Sequence, residues 1–193
     1  MPTLRQLLDA EATPYDAVVA HLEGLASDAR RDQCRALSER QLSRLYDLAA
    51  AGPALTPELF LVGQEGDQPV RFFGRNSLAP VPQLRLFEKH FRRHDGLVIG
   101  INSSFWSMVS GPGYFTVELG EPGHEREVVF DYTKVPASTP EGWPRVRANQ
   151  GGLQPFIYQG LRDFNRWVTK DVVIGSATRY GKYTHQFYIL SRA

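Results

Sequence analysis

Residues 114–132 read YFTVELGEPGHEREVVFDY, and this stretch carries the strongest signal for the fold. On both sides of its centre, apolar and polar side chains alternate with a period of two, as they do along half-buried β-strands. The apolar members are Phe115, Val117 and Leu119, followed by Val128, Phe130 and Tyr132. The intervening GEPGHER is typical of a turn. The pattern predicts two adjacent antiparallel strands that keep Glu118 and Asp131 on the more polar face.

Further strands are predicted on both sides of this hairpin. Apolar or alternating runs mark residues 70–73, 97–101, 172–179 and 183–191, and the last two runs are expected to form a C-terminal hairpin. A period of 3.6 predicts two helices between the strands. One helix is expected near 82–94, with Leu84, Phe87 and Phe91 on its apolar face, and the other near 155–169.

The front quarter of the chain is predicted to be helical. Residues 1–52 hold two of the 22 aromatic residues and two of the 17 glycines, and Ser38 followed by Gln41 forms a capping box. The expected fold class is therefore α+β. A helical N-terminal element, residues 1–52, is expected to pack on a mainly antiparallel β-sheet with one or two interspersed helices, residues 53–193.

Composition narrows the class of protein. Of the 193 residues, 42% are hydrophobic and 22% are charged, which is typical of a folded domain. Cys34 is the only cysteine, which excludes an intrachain disulfide and any metal site built from several cysteines. No apolar run reaches the roughly 20 residues that span a bilayer, and the N-terminus lacks the apolar stretch of a signal peptide. We therefore expect a cytoplasmic protein that does not contact membranes.

Charge is divided unevenly along the chain. Residues 1–132 carry 13 Lys and Arg against 18 Asp and Glu, a formal charge of −5, whereas residues 133–193 carry 9 against 3, a formal charge of +6. Many aromatic residues are interleaved with the basic ones in this last third. Such a surface is expected either to receive an anionic ligand or to pair with the acidic part of the same chain.

Two irregular segments are candidate ligand-binding loops. The segment 103–113 presents a tryptophan ahead of a rigid Gly-Pro-Gly turn. The segment 140–152 places a tryptophan beside two arginines, an arrangement that can stack on and pair with an anionic planar group. Two further basic residues lie at the C-terminal hairpin. The predicted ligand-binding set is Trp106, Trp143, Arg145, Arg147, Arg179 and Lys182.

Motifs for catalysis and for metal binding fail on spacing or context. GSATRYGKYT at 175–184 lies between two strand patterns, whereas a phosphate loop must open a helix. His90 and His94 are four residues apart, but basic neighbours surround them and no third ligand is evident, so neither a metal nor a cofactor is predicted. No G-x-S-x-G turn is present to activate a serine with His185, and Cys34 has no paired histidine.

Three functions stay open at this stage. The preferred one is a non-enzymatic binding or interaction module, in which the basic aromatic C-terminal third receives a protein partner or an anionic small molecule. The alternative is an enzyme of unrecognised type, with a cleft between the polar face of the sheet and the 103–113 loop. The third is weak nucleic-acid binding, which the near-neutral total charge of +1 makes unlikely.

Overall fold

The computed structural model describes residues 2–77, 85–104, 113–146 and 158–193. Eight antiparallel strands follow one another around a closed barrel in chain order, and the last strand pairs with the first. The strands are β1 (Val70–Asn76), β2 (Leu86–His94), β3 (Leu97–Ser104), β4 (Gly113–Leu119), β5 (Val128–Asp131), β6 (Leu161–Thr169), β7 (Val172–Arg179) and β8 (Lys182–Arg192). We call the end of the barrel at which β1, β3, β5 and β7 finish the upper end, and the opposite end, where β1 begins, the lower end.

The closed barrel overturns the α+β fold class expected from the sequence. The helix expected near 82–94 is strand β2 from Leu86 onward, and the helix expected near 155–169 is strand β6 from Leu161 onward. Side chains four residues apart share a face in both helices and strands, so apolar spacing alone does not separate the two. Pairing decides between them, because β2 is hydrogen-bonded between β1 and β3, and β6 between β5 and β7.

The strands of the 114–132 stretch pair in the predicted register. Val117 lies opposite Phe130 and Thr116 lies opposite Asp131, which places apolar side chains inside the barrel and the acidic ones outside. Lys134 bridges the two outer carboxylates, with its Nζ 2.6 Å from Glu118 Oε2 and 3.9 Å from Asp131 Oδ2. The two carboxylates that the sequence placed on the polar face are therefore neutralised by a nearby ammonium group.

Four short helices cover one side of the barrel. They are α1 (Leu4–Asp9), α2 (Tyr15–Glu23), α3 (Ser27–Arg35) and α4 (Glu39–Leu48), and capping boxes at Thr3 and Ser38 begin the first and the last. Their apolar side chains form a core outside the barrel with outward residues of β6, β7 and β8. The members of that core include Val18, Leu22, Leu42, Leu45, Val168, Val172, Ile174, Phe187 and Ile189. The helices therefore bury their apolar faces against the barrel of their own chain.

A second core fills the barrel interior. A 3-10 helix at Pro57–Leu61 carries the fully buried Phe60 across the lower end. The Phe60 ring lies 4.6 Å from the ring of Phe91, 5.1 Å from that of Phe130 and 5.7 Å from that of Phe72. These contacts are within the range of favourable aromatic pairs, so the lower end is closed by packed rings. No helix of the described residues is both long and apolar enough to cross a membrane.

Candidate ligand site inside the barrel

A lysine side chain lies inside the barrel. Lys89 is in the middle of β2 between Phe87 and Phe91, which both point inward, and alternation along the strand turns Lys89 the same way. It lies opposite Phe72 on β1 and Asn102 on β3, and cross-strand partners share a face of the sheet. Only 2% of its surface is exposed, although lysine is almost never fully buried without a partner.

Aromatic rings surround the Lys89 ammonium group. Its Nζ lies 4.6 Å from the ring centre of Phe115, 4.9 Å from that of Tyr132 and 5.1 Å from that of Phe130. The rings of Tyr188 and Phe87 follow at 5.2 and 5.6 Å. Each of these distances is short enough for a cation–π interaction, so the rings replace part of the hydration that the charge has lost.

Among the described residues, the polar partners of Lys89 are one carboxylate and one phenol. Its Nζ lies 3.5 Å from Asp163 Oδ2 and donates a hydrogen bond to the Tyr132 hydroxyl. Burial lowers the pKa of the Lys89 amine to about 8, although Asp163 acts in the opposite direction. Burial likewise raises the pKa of the Asp163 carboxyl, against the influence of Lys89. Both shifts favour neutral forms, so a proton shared by this pair is held less firmly by the lysine than in water.

Further polar side chains extend the site across the interior. The Tyr188 hydroxyl donates to Asn165 Oδ1 at 2.6 Å, and Asn165 Nδ2 donates to the backbone oxygens of Val128 and Asp163, each at 3.0 Å. The ring of Tyr158 stacks on that of Tyr132 with centres 5.2 Å apart. These groups hold Asp163 and Tyr132 in fixed positions, because each is bonded or stacked to a neighbour that is itself constrained.

Asn102 contributes an unsatisfied acceptor to the same interior. Its amide hydrogen-bonds to the Tyr158 hydroxyl, but its Oδ1 is buried without a hydrogen-bond partner. Asn102 Oδ1 therefore presents an acceptor to the interior, on the face of the sheet that carries Lys89.

Glycines keep the aromatic rings against the barrel wall. A Cβ at Gly100 would lie 2.3 Å from the ring of Phe115, and a Cβ at Gly175 would lie 2.3 Å from the ring of Tyr188. Neither distance is tolerable, so these rings lie where side chains would otherwise project. Rings that lie flat on the wall line the interior around Lys89. The interior of an eight-stranded barrel is either filled by side chains or holds one small ligand.

Four of the six sequence-predicted site residues lie among the described residues, at two different connections between strands. Trp143 and Arg145 lie in the connection after β5, whereas Arg179 and Lys182 lie opposite each other across the β7–β8 hairpin. Trp106 and Arg147 fall outside the described residues. The binding role assigned to this set from the sequence stays a prediction.

Trp143 borders a pocket on the outer surface of the barrel. Its ring lies 6.0 Å from that of Tyr114 and 5.8 Å from the guanidinium of Arg92, and Arg92 donates to the Glu141 carbonyl at 3.0 Å. The pocket measures about 480 Å³, and His90 and Asp67 complete its polar lining. Trp143 therefore forms one wall of a cavity of ligand size.

Arginines of the basic C-terminal third pair with carboxylates of the chain. Arg162 contacts Glu121 at 3.0 Å and Asp131 at 3.3 Å. Arg166 Nε lies 2.6 Å from Glu127 Oε1, and its guanidinium also lies 3.8 Å from the ring centre of Tyr46. Part of the basic charge of the C-terminal third is therefore paired with carboxylates of the same chain. Through these contacts Arg166 also links α4 to the barrel.

The rejected motifs have structural roles. His90 and His94 point outward from β2 and contact Glu88 at 3.1 Å and Ser138 at 2.7 Å. Among the described residues no group of histidine, cysteine and acidic side chains is arranged to hold a metal ion. Cys34 is packed in the helical core, where burial raises the pKa of its thiol to about 12. A thiol with that pKa is not a nucleophile at neutral pH.

Sequence reasoning missed Lys89 because it assigned residues 82–94 to a helix. On a helix, a lysine between Phe87 and Phe91 points away from their face, whereas on a strand it shares that face. The sequence does contain one signal for the site. If residues 86–94 and 161–169 are treated as strands, the alternate positions that face the barrel interior include Lys89 in β2 and Asp163 and Asn165 in β6, where apolar residues would be expected.

Comparisons with protein-family models, with curated proteins and with solved structures find no match to this chain.

Proposed function

We propose that this protein binds a small molecule inside its barrel, and that Lys89 recognises a carbonyl or carboxylate oxygen of that ligand. The observation that carries the proposal is the buried Lys89 ammonium group, which within the described part of the chain has five aromatic ring centres at 4.6–5.6 Å and a carboxylate at 3.5 Å. The rings favour an apolar, preferably aromatic, ligand body. The lysine and the Tyr132 hydroxyl supply donors for its oxygen atoms.

The energetics of the buried pair support a functional reading. A buried ion pair contributes little net stability, because desolvation of both charges offsets their attraction. Lys89 and Asp163 are only 2% and 4% exposed. A protein in which hydrophobic residues of similar volume replace such a buried pair is often at least as stable as the original. Strongly shifted pKa values also cluster at functional sites. Ligand recognition accounts for why the chain keeps this pair.

A second candidate function uses the pocket beside Trp143. The stacking of Arg92 on Trp143 and the 480 Å³ volume favour an anionic small molecule or an acidic side chain of a protein partner. Of the binding residues expected from the sequence, this pocket includes Trp143, and its cation is Arg92 of β2 rather than an arginine of the basic C-terminal third. The two candidates differ in which residue they require, so one experiment separates them.

The test is calorimetric titration of 3-phenylpropionate, which joins an aromatic body to one carboxylate. We expect the wild-type protein to bind it and Lys89→Met to weaken binding at least tenfold. Lys170→Met, which removes an exposed lysine outside the barrel, is the matched control and is expected to bind normally. Affinity is expected to fall as pH rises through about 8, because Lys89 then loses the charge that holds the carboxylate.

Thermal melting of each variant shows whether it remains folded, and Lys89→Arg provides a variant that keeps the charge. Equal affinity in wild type and Lys89→Met contradicts the interior site. Binding that is lost in Trp143→Ala but retained in Lys89→Met supports the outer pocket instead. Absence of binding to the wild-type protein contradicts both candidates for this class of ligand.

A further inference from the structure

We propose that Lys89 is a nucleophilic amine that forms a reversible imine with an aldehyde or ketone ligand held inside the barrel. The inference rests on the ligand-binding function proposed above and adds a covalent step to it. Its basis is geometric, because an amine, a carboxyl group and a phenol converge at one point in a closed apolar interior.

The residues around Lys89 match the needs of imine formation. The reaction requires a neutral amine, a group that takes and returns a proton, and surroundings that exclude water. Asp163, 3.5 Å from the amine, is the proton acceptor and donor. The Tyr132 hydroxyl, which accepts a hydrogen bond from Lys89, is positioned to bind the carbonyl oxygen. The surrounding rings exclude water.

The step balances without any external reagent. The Lys89 ammonium first transfers one proton to the Asp163 carboxylate, and the neutral amine adds to the carbonyl carbon. A proton shift from nitrogen to oxygen gives the carbinolamine. Asp163 then returns its proton to the departing hydroxyl, which leaves as water, and the C=N bond forms. The product is a protonated imine on Lys89 that is paired with the Asp163 carboxylate, and hydrolysis reverses the sequence.

The electrostatic surroundings of Lys89 and Lys134 shift the pKa values of these two lysines in opposite directions. The chain contains only Lys89, Lys134, Lys170 and Lys182. Burial lowers the pKa of Lys89 to about 8, so a substantial fraction of its amine is neutral near that pH. The hydrogen bond to Glu118 raises the pKa of Lys134, which leaves that amine more fully protonated. A desolvated lysine in an apolar pocket is a known form of activated amine.

Reductive trapping tests the inference. The full-length protein is incubated at pH 7.5 with 3-phenylpropanal and sodium cyanoborohydride, and peptide mass spectrometry follows the reduced adduct at each lysine. We expect Lys89 to be labelled at least tenfold faster than Lys134, Lys170 or Lys182. The preference is expected to disappear in guanidinium chloride, where all four amines are exposed. Asp163→Asn is expected to slow labelling of Lys89 while labelling of Lys170 stays unchanged.

The aldehyde and 3-phenylpropionate have the same apolar body, so the two tests fail separately. Lysine-dependent binding of the acid, with Lys89 labelled no faster than the surface lysines, overturns the imine and leaves the binding function intact. Failure of both probes overturns the imine together with the interior site. Selective labelling that competing 3-phenylpropionate suppresses supports both.

Discussion

At the scale of single residues, Lys89 and Asp163 are a costly pair to bury. A shift of the lysine pKa from 10.5 to about 8 corresponds to roughly 3 kcal/mol against the charged form. We therefore expect Lys89→Met combined with Asp163→Asn to leave the free energy of unfolding at pH 7 unchanged or to raise it by about 1–4 kcal/mol. Urea denaturation measures this change. A double variant destabilised by several kcal/mol would mean that the pair holds the fold together.

The same comparison has a defined pH dependence. The folded pKa of Lys89 lies below its unfolded value, so between about pH 8 and 10.5 the unfolded chain binds more protons than the folded one. The stability of the wild-type protein relative to the double variant is therefore expected to increase across this window. Burial, the larger cause of the raised pKa values of Tyr132 and Tyr188, is common to both proteins, whereas the smaller influence of the Asp163 carboxylate is lost in the double variant.

At the scale of elements, the four helices pack against the outer wall of the barrel, on the opposite side of that wall from Lys89 and Asp163. Leu42 is fully buried in the core between α4 and the barrel. We expect Leu42→Ala to lower the free energy of unfolding by about 2–5 kcal/mol, because it leaves a cavity in that core. The affinity for 3-phenylpropionate is expected to stay unchanged while the protein is folded.

Leu97 supplies the matched control, because it is 52% exposed at the start of β3. Leu97→Ala is expected to change stability by no more than about 0.5 kcal/mol. An equal loss of unfolding free energy in both variants would contradict the role of the helical core in stability. Weakened binding in a folded Leu42→Ala protein would contradict the independence of the interior site from the helices.

The elements also show how far local pattern determines structure. The helices before Gly52 and the alternating strands around residue 120 follow from spacing, because their apolar residues fit one period only. The apolar residues of β2 and β6 recur at intervals of three and four as well as two, so local spacing cannot assign them. Hydrogen bonding to the strand on each side decides these segments, and the apolar spacing within one segment does not show that pairing.

At the scale of the whole molecule, closure of the barrel gives the site its chemistry. An open sheet would leave Lys89 and Asp163 on a solvated face, where their pKa values would stay near those of free side chains. The closed barrel encloses them between β2 and β6, which are not neighbours in the sheet. For this reason the site could not be predicted from the sequence, although every residue that forms it is visible there. The two residues become one site only when β8 pairs with β1.

The most direct test of the central claim is a titration of the four lysines by NMR, with ¹³C at the ε carbons and Lys89→Met used to assign the resonance of Lys89. We predict that the Lys89 resonance titrates near pH 8, that the pKa of Lys134 lies above its ordinary value because of the hydrogen bond to Glu118, and that 3-phenylpropionate shifts the Lys89 resonance. Titration of Lys89 at the ordinary lysine pKa of 10.5, with no response of its resonance to the ligand, would contradict the interior site.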